Sequence, residues 1–397
     1  MAVSSTKQHG HVEDSITVAP DNLMSAEREI EWPARWAGRA TTRPSSSRHQ
    51  LMKLAVFLPN WIGDVAMATP ALRALREQFP TAEITGIMRP YVADVLAGTG
   101  LLDRTVFYNP RGRDRTQRGW TFIRNLRAEK FDTVLLLTNS LRTGWLAWLS
   151  GAKQRVGFAR DLRGWLLTDR ITPHSRTVPN PVLDEYLRLV ERLGCPTTSR
   201  QIEAAVLPGD QAQLTQFWDD QGSPADYVTL NTGGAFGAAK NWPREKFVEL
   251  ARRIVTELDQ RVLVVCGPSE RKDARWIATT ANHPGVFSLA DAKLSIGLTK
   301  AAVRQSSLLV TTDSGPRHFA AAFGTPVITL FGPTHIAWSE TNYDRSEHLQ
   351  LKLDCGPCQQ RECPLKHHRC MTDLSVDTVF AAVKRQLAQH ASRRHVA

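Results

Sequence analysis

Apolar residues in this chain follow two rhythms. Short, wholly apolar runs alternate with longer segments whose apolar positions recur every three or four residues, and the alternation begins only at Lys53. Residues 1–50 are polar, rich in Ser, Thr, Arg and Pro, without a sustained period, and read as a disordered or weakly ordered extension. From Lys53 a buried strand leads to a helix over 64–79, with Leu72, Leu75 and Phe79 on one stripe. The pattern then predicts strand 83–88, a short helix over 91–97, strand 104–108, helix 120–128, strand 133–137 and helix 141–150. A further strand over 155–158 and an amphipathic helix over 181–193 close this first series. The second starts at Tyr227 and runs through helix 244–258, strand 261–266, helix 270–280, strand 286–289 and helix 294–305. Strand 308–312, a helix of small residues and strand 327–331 follow, and a helix over 376–389 ends the chain. Apolar strands separated by helices predict parallel sheets covered on both faces. The expected fold class is therefore α/β, with two doubly wound domains, 51–205 and 206–397, facing across a cleft. The stretch 204–223, marked by Pro208-Gly209 and Gly222-Ser223-Pro224, is the expected connection between them.

Composition adds limits. At 397 residues the chain exceeds one comfortable core, which agrees with two domains. No apolar run approaches the roughly 20 residues that span a bilayer, and no secretory signal opens the chain, so a cytoplasmic setting is expected. The net charge of +11 points to an anionic partner. Arg111, Arg113, Arg115 and Arg118 crowd one short segment with only Asp114 against them. No zinc-finger, RNA-recognition or basic-zipper pattern is present, so nucleic acid is set aside. A phosphorylated substrate and a peripheral contact with an anionic membrane surface remain. Cys355, Cys358, Cys363 and Cys370 fall within one short segment with His367 and His368. They read as reduced thiols of a cytosolic protein, ahead of a structural zinc site, and in neither case as a catalytic metal centre.

Chemistry gathers where strands end. The run Leu308–Thr312 stops at Asp313-Ser314-Gly315, a helix opens, and His318 follows on it. Carboxyl ends of strands in open α/β sheets bind ligands, and a helix start attracts phosphate. After the first strand of the same half comes Asn231-Thr232-Gly233-Gly234, then Lys240, a Gly-rich loop with a downstream cation. It is neither a dinucleotide fingerprint nor a P-loop. In the first half, the strand from Lys53 ends in Trp61-Ile62-Gly63-Asp64. Asp64 is placed either to cap the following helix or to act as a general base at the cleft.

Taken together and in this order, these three segments, with Leu330-Phe331-Gly332-Pro333-Thr334, resemble glycosyltransferase family 9, the lipopolysaccharide heptosyltransferases. The Cys-rich segment also resembles the heptosyltransferase II branch. The resemblance implies a GT-B arrangement of two Rossmann-like domains, an ADP-heptose donor and a core-oligosaccharide acceptor on lipid A. It further implies inversion at the anomeric carbon without cofactor or catalytic metal. It makes Asp64 the catalytic base and assigns Thr232, Gly233, Lys240, Asp313, Ser314, Gly315 and His318 to the donor. The arginines at 111, 113, 115 and 118 would face the acceptor. Alternatives are a family member using another nucleotide sugar or acceptor, and a non-catalytic binder of sugar nucleotides or lipopolysaccharide.

Overall fold

The computed structural model describes residues 51–175, 177–222, 226–234 and 236–394, so the expectation for residues 1–50 lies outside the described residues. Twelve parallel strands form two six-stranded sheets. The first sheet holds β1 (Lys53–Phe57), β2 (Glu83–Met88), β3 (Arg104–Phe107), β4 (Thr133–Leu136), β5 (Gln154–Phe158) and β6 (Asp169–Ile171), in the order β3-β2-β1-β4-β5-β6. The second holds β7 (Tyr227–Asn231), β8 (Arg261–Val265), β9 (Val286–Ser288), β10 (Leu308–Thr312), β11 (Val327–Phe331) and β12 (Ser346–Gln350), in the order β12-β11-β10-β7-β8-β9. In each sheet the strand order reverses beside the first strand of that half, which creates a crevice at the carboxyl edge. The central strands are buried on both faces, as their uninterrupted apolar runs require.

Helices cover the sheets. In the first half these are α1 (Ile62–Met67), α2 (Thr69–Gln78), α3 (Ala93–Leu96), α4 (Gly119–Ala128), α5 (Leu141–Leu149) and α6 (Val182–Glu191). In the second they are α7 (Pro208–Asp220), α8 (Arg244–Glu257), α9 (Arg271–Ala281), α10 (Ile296–Gln305), α11 (Pro316–Phe323), α12 (Arg369–Thr372) and α13 (Val376–Arg394).

The structure departs from the sequence reading in four elements. The helix expected over 64–79 is two helices broken at Ala68. Pro70 has no N–H for Ala66, and the Thr69 hydroxyl donates to the Ala66 carbonyl at 2.8 Å instead. The stretch 204–223 is mostly the helix α7, started by Pro208 and anchored through buried Leu214 and Trp218, one turn apart. Strands β6 and β12 carry no fully buried residue, as suits outermost strands, and gave no apolar run to read.

The two halves meet through packing at their carboxyl edges. A side chain on Gly315 would bring its Cβ within 2.7 Å of Ile62, and one on Gly63 within 3.0 Å of the His318 ring. Away from the cleft, Lys300 on α10 is fully buried and donates to the Asp94 carbonyl on α3 at 2.7 Å.

Candidate active site

Asp64 is the third residue of α1, whose N-cap is Trp61, without a side-chain capping bond. The capping reading therefore fails: the carboxylate stands one turn too far into the helix. It is half-buried and makes no hydrogen bond among the described residues. Burial pushes its pKa up to about 7; Lys240 opposes that rise and Asp313 adds to it. A carboxylate from the first half is thus coupled to a cation and an anion of the second.

Across the cleft, the turn after β10 and the loop after β7 are tied into one unit. Lys240 Nζ donates to Asp313 Oδ2 at 2.6 Å and to the Asp313 carbonyl at 3.1 Å, and stands 4.2 Å over the Phe236 ring. Asp313 Oδ2 also accepts from the Thr334 hydroxyl at 2.7 Å, and its Oδ1 lies 3.6 Å from Arg317. Burial alone would raise the pKa of Asp313, but Lys240 and Arg317, with the bonds from Lys240 and Thr334, hold it at about 2. Asp313 is therefore a permanent anion whose oxygens are already occupied. Its physical effect is to fix Lys240.

Asn231, at the end of β7, completes the unit. Its side-chain amide donates to Ser314 Oγ at 2.8 Å, Thr311 Oγ1 at 2.9 Å and the Gly233 carbonyl at 3.1 Å. Close approach explains the glycines: a Cβ on Gly234 would lie 2.8 Å from that of Ser314, and one on Gly233 2.7 Å from the Glu270 side chain. The Thr232 hydroxyl is buried without a hydrogen-bond partner, an orphaned polar group beside this loop. His318 is buried beneath Gly63, and burial followed by the charge of Arg317 lowers its pKa to about 3, so the imidazole is neutral. At the start of α11 the Arg317 and His318 amides already bond to the Ser314 and Gly315 carbonyls. Any anion at this helix start must use the preceding turn.

The sequence-derived residues thus divide. Asp64, Thr232, Gly233, Lys240, Asp313, Ser314, Gly315 and His318 come together where the two carboxyl edges meet. Arg111, Arg113, Arg115 and Arg118 are exposed on the segment after β3. They share the edge of Asp64 but stand two strands away, on the order of 10 Å.

Arg361 was missed. It comes from the Cys-rich segment, and its carbonyl accepts from the Ala239 amide at 3.0 Å. Its guanidinium lies 5.8 Å from the Trp61 ring and 5.7 Å from the Phe236 ring, so it reaches both halves. Asn231, Arg317 and Thr334 stand within the motifs read from the sequence but were given no role there, and Glu270 was missed altogether. None of the six cysteines is in a disulfide. Burial, then neighbouring Cys358, Cys363 and Cys355, raises the pKa of Cys370, so the four thiols share one locality. Among the described residues no group of three or more His, Cys, Asp or Glu side chains is arranged to hold a metal ion.

Comparison with known proteins extends this picture. The family model of glycosyltransferase family 9 (heptosyltransferase) matches residues 119–369. The chain is 25% identical over 346 residues to lipooligosaccharide heptosyltransferase 2 of Campylobacter jejuni, covering 84% of this chain and 99% of that protein. The solved ADP-heptose lipopolysaccharide heptosyltransferase II of Escherichia coli superposes with a TM-score of 0.71 at 20% identity, over 86% of this chain and 100% of that one. An Escherichia coli heptosyltransferase solved with ADP superposes with a TM-score of 0.64 at 18% identity, over 86% of this chain and 100% of that one. These superpositions show the GT-B fold.

Proposed function

The chain belongs to glycosyltransferase family 9, the heptosyltransferases, and from that premise we propose that it transfers heptose from ADP-heptose to the inner-core oligosaccharide of lipid A, with inversion. Residues 51–205 hold the acceptor and 206–397 the donor. The observation that carries this reading is Asp64: an unbonded, half-buried carboxylate whose pKa of about 7 suits a general base, held against the turn that fixes Lys240. The acceptor hydroxyl loses its proton to Asp64 Oδ as it attacks the anomeric carbon from the face opposite ADP. Positive charge grows on the sugar as in glycoside hydrolysis, and negative charge grows on the departing phosphate. Lys240, pre-set by Asp313, and the turn at Ser314 and Gly315 stabilise that phosphate without reorganising. Arg361 is placed to add a second cation at the mouth of the cleft. The Thr232 hydroxyl supplies an unused hydrogen bond beside them.

These charges offer the leaving group what a divalent ion supplies in other sugar-nucleotide enzymes, and the reading takes the reaction to be metal-independent. ADP as the nucleotide is supported by the relative solved with it. The test is a competition panel of ADP-, UDP- and GDP-linked sugars with NMR of the glycosylated product. The reading expects ADP-heptose to dominate and the new linkage to have the opposite anomeric configuration to the donor. A preferred UDP- or GDP-sugar, or a retained configuration, would overturn it.

A further inference from the structure

The described residues expose eleven large apolar side chains, and nine of them lie on segments leaving the carboxyl ends of strands of the first sheet. Among the described residues of the second half, Leu365 alone is such a side chain. Solvent-exposed apolar groups are ordinary when scattered; a concentration on one half of the molecule marks a contact surface. At its centre are Trp145 and Trp148 on α5 and Trp165 after β5, with ring centroids 5.5 Å (Trp145 to Trp148) and 5.1 Å (Trp145 to Trp165) apart. Leu162, in the turn before Trp165, is 87% exposed.

That turn is built rather than loose. Asp161 and Leu162 both have left-handed backbone, φ 50° and 57°, a costly conformation for a bulky residue. Arg163 beside them is fully buried, and its guanidinium donates to the Phe158 carbonyl at 2.9 Å, to the Thr138 carbonyl and to Asn139 Oδ1 at 3.2 Å. A buried cation thus clamps the ends of β4 and β5 and holds Leu162 outward. Exposed Arg142 and Arg170 flank the patch, and Arg142 bonds the Tyr108 hydroxyl, so the segment with Arg111, Arg113, Arg115 and Arg118 adjoins it.

We propose that this Trp- and Leu-bearing, arginine-flanked surface of the first half docks on an anionic phospholipid bilayer. Tryptophan is at home at the bilayer interface, leucine enters the acyl boundary, and arginines meet lipid phosphates. The chain's +11 charge favours the same surface. A sugar platform fits less well: the tryptophans pack edge to face, at 88° and 85°, and an aliphatic side chain stands furthest out. The Leu162 turn, held at the carboxyl ends of β4 and β5, shares its edge with Asp64, so docking would turn the base toward a lipid-borne acceptor. That last step alone rests on the proposed function.

The test is co-sedimentation of the full chain with vesicles of phosphatidylethanolamine and phosphatidylglycerol at about 3:1, which needs neither substrate. Binding should fall about tenfold in about 1 M salt or on phosphatidylcholine vesicles. The triple variant Trp148→Ser, Leu162→Ser, Trp165→Ser should lose about tenfold in partitioning, with its unfolding temperature and its turnover on a water-soluble, delipidated acceptor unchanged. Brominated phosphatidylglycerol should quench the tryptophan fluorescence of the unaltered protein, a readout independent of any variant. Absence of quenching, or a triple variant that partitions like the parent, would overturn the proposal. So would a loss of turnover on the soluble acceptor that tracks vesicle binding, which would make the patch a sugar subsite. A dimer that the triple variant dissolves would replace the bilayer with a second copy.

Discussion

Asp64 and Asp313 are carboxylates in one cleft driven in opposite directions. Asp313 has Lys240, Thr334 and Arg317 around it and stays charged; Asp64 has burial and no hydrogen-bond partner, and titrates near neutrality. Activity that needs ionised Asp64 should rise with pH through about 7 in kcat/KM and then level off, as a pH–rate profile would show. Stability has the opposite sign. A carboxyl whose folded pKa exceeds its ordinary 3.8 favours folding most at low pH and loses that contribution as pH rises through about 7. Asp64→Asn should therefore unfold at a higher temperature than the parent at pH above about 7, with the difference gone below about pH 4. Calorimetry across pH would check it; an Asn variant less stable at every pH would mean that Asp64 is structural. Lys240 belongs to a buried ion pair, so Lys240→Met strands Asp313 and should cost about 3 kcal/mol in denaturant unfolding, beyond its loss of turnover.

At the level of elements, the meeting of α1 with the turn before α11 sets the distance between the proposed base, Asp64, and the proposed phosphate site. A methyl group on Gly315 runs into Ile62, so Gly315→Ala should force the edges apart and slow turnover about tenfold or more. Ile62→Ala in the same chain should restore part of that loss; a double variant no better than the single would place the damage in phosphate binding instead. Much of this frame was legible in the sequence. Buried parallel strands such as Leu308–Thr312 announce themselves by unbroken apolar runs, and Asp313, Lys240 and Asp64 each follow such a strand. What escaped was set by tertiary partners. Pro70 divides a helix whose stripe reads as continuous, and β12 lacks an apolar run. Asp64 reads as a cap until Trp61 takes that place. Arg361 joins the cleft only because the Cys-rich segment folds back onto the Gly-rich loop, a contact that no local spacing encodes.

Across the whole molecule, the proposed function makes the two sheets separate holders whose mutual placement decides whether the chemistry occurs. One contact between the halves is itself titratable. Lys300 on α10 is buried against α3, and burial lowers its pKa from 10.5 to about 8. The folded state therefore sheds that proton first, and the penalty for a buried charge, complete below about pH 8, should ease as pH rises toward 10.5. Lys300→Met should abolish this part of the pH dependence, seen as a flatter denaturant midpoint between about pH 8 and 10. The central claim is that a carboxylate of the first half activates an acceptor against a phosphate site of the second. The most direct measurement is ADP release from ADP-heptose by the parent and by Asp64→Asn, with a heptose-bearing lipid A core acceptor and a chelator present. The parent should turn over, and Asp64→Asn should keep its affinity for ADP while losing on the order of 10³-fold in kcat. Parent-like turnover by Asp64→Asn, or no acceptor-dependent ADP release by the parent, would contradict the account.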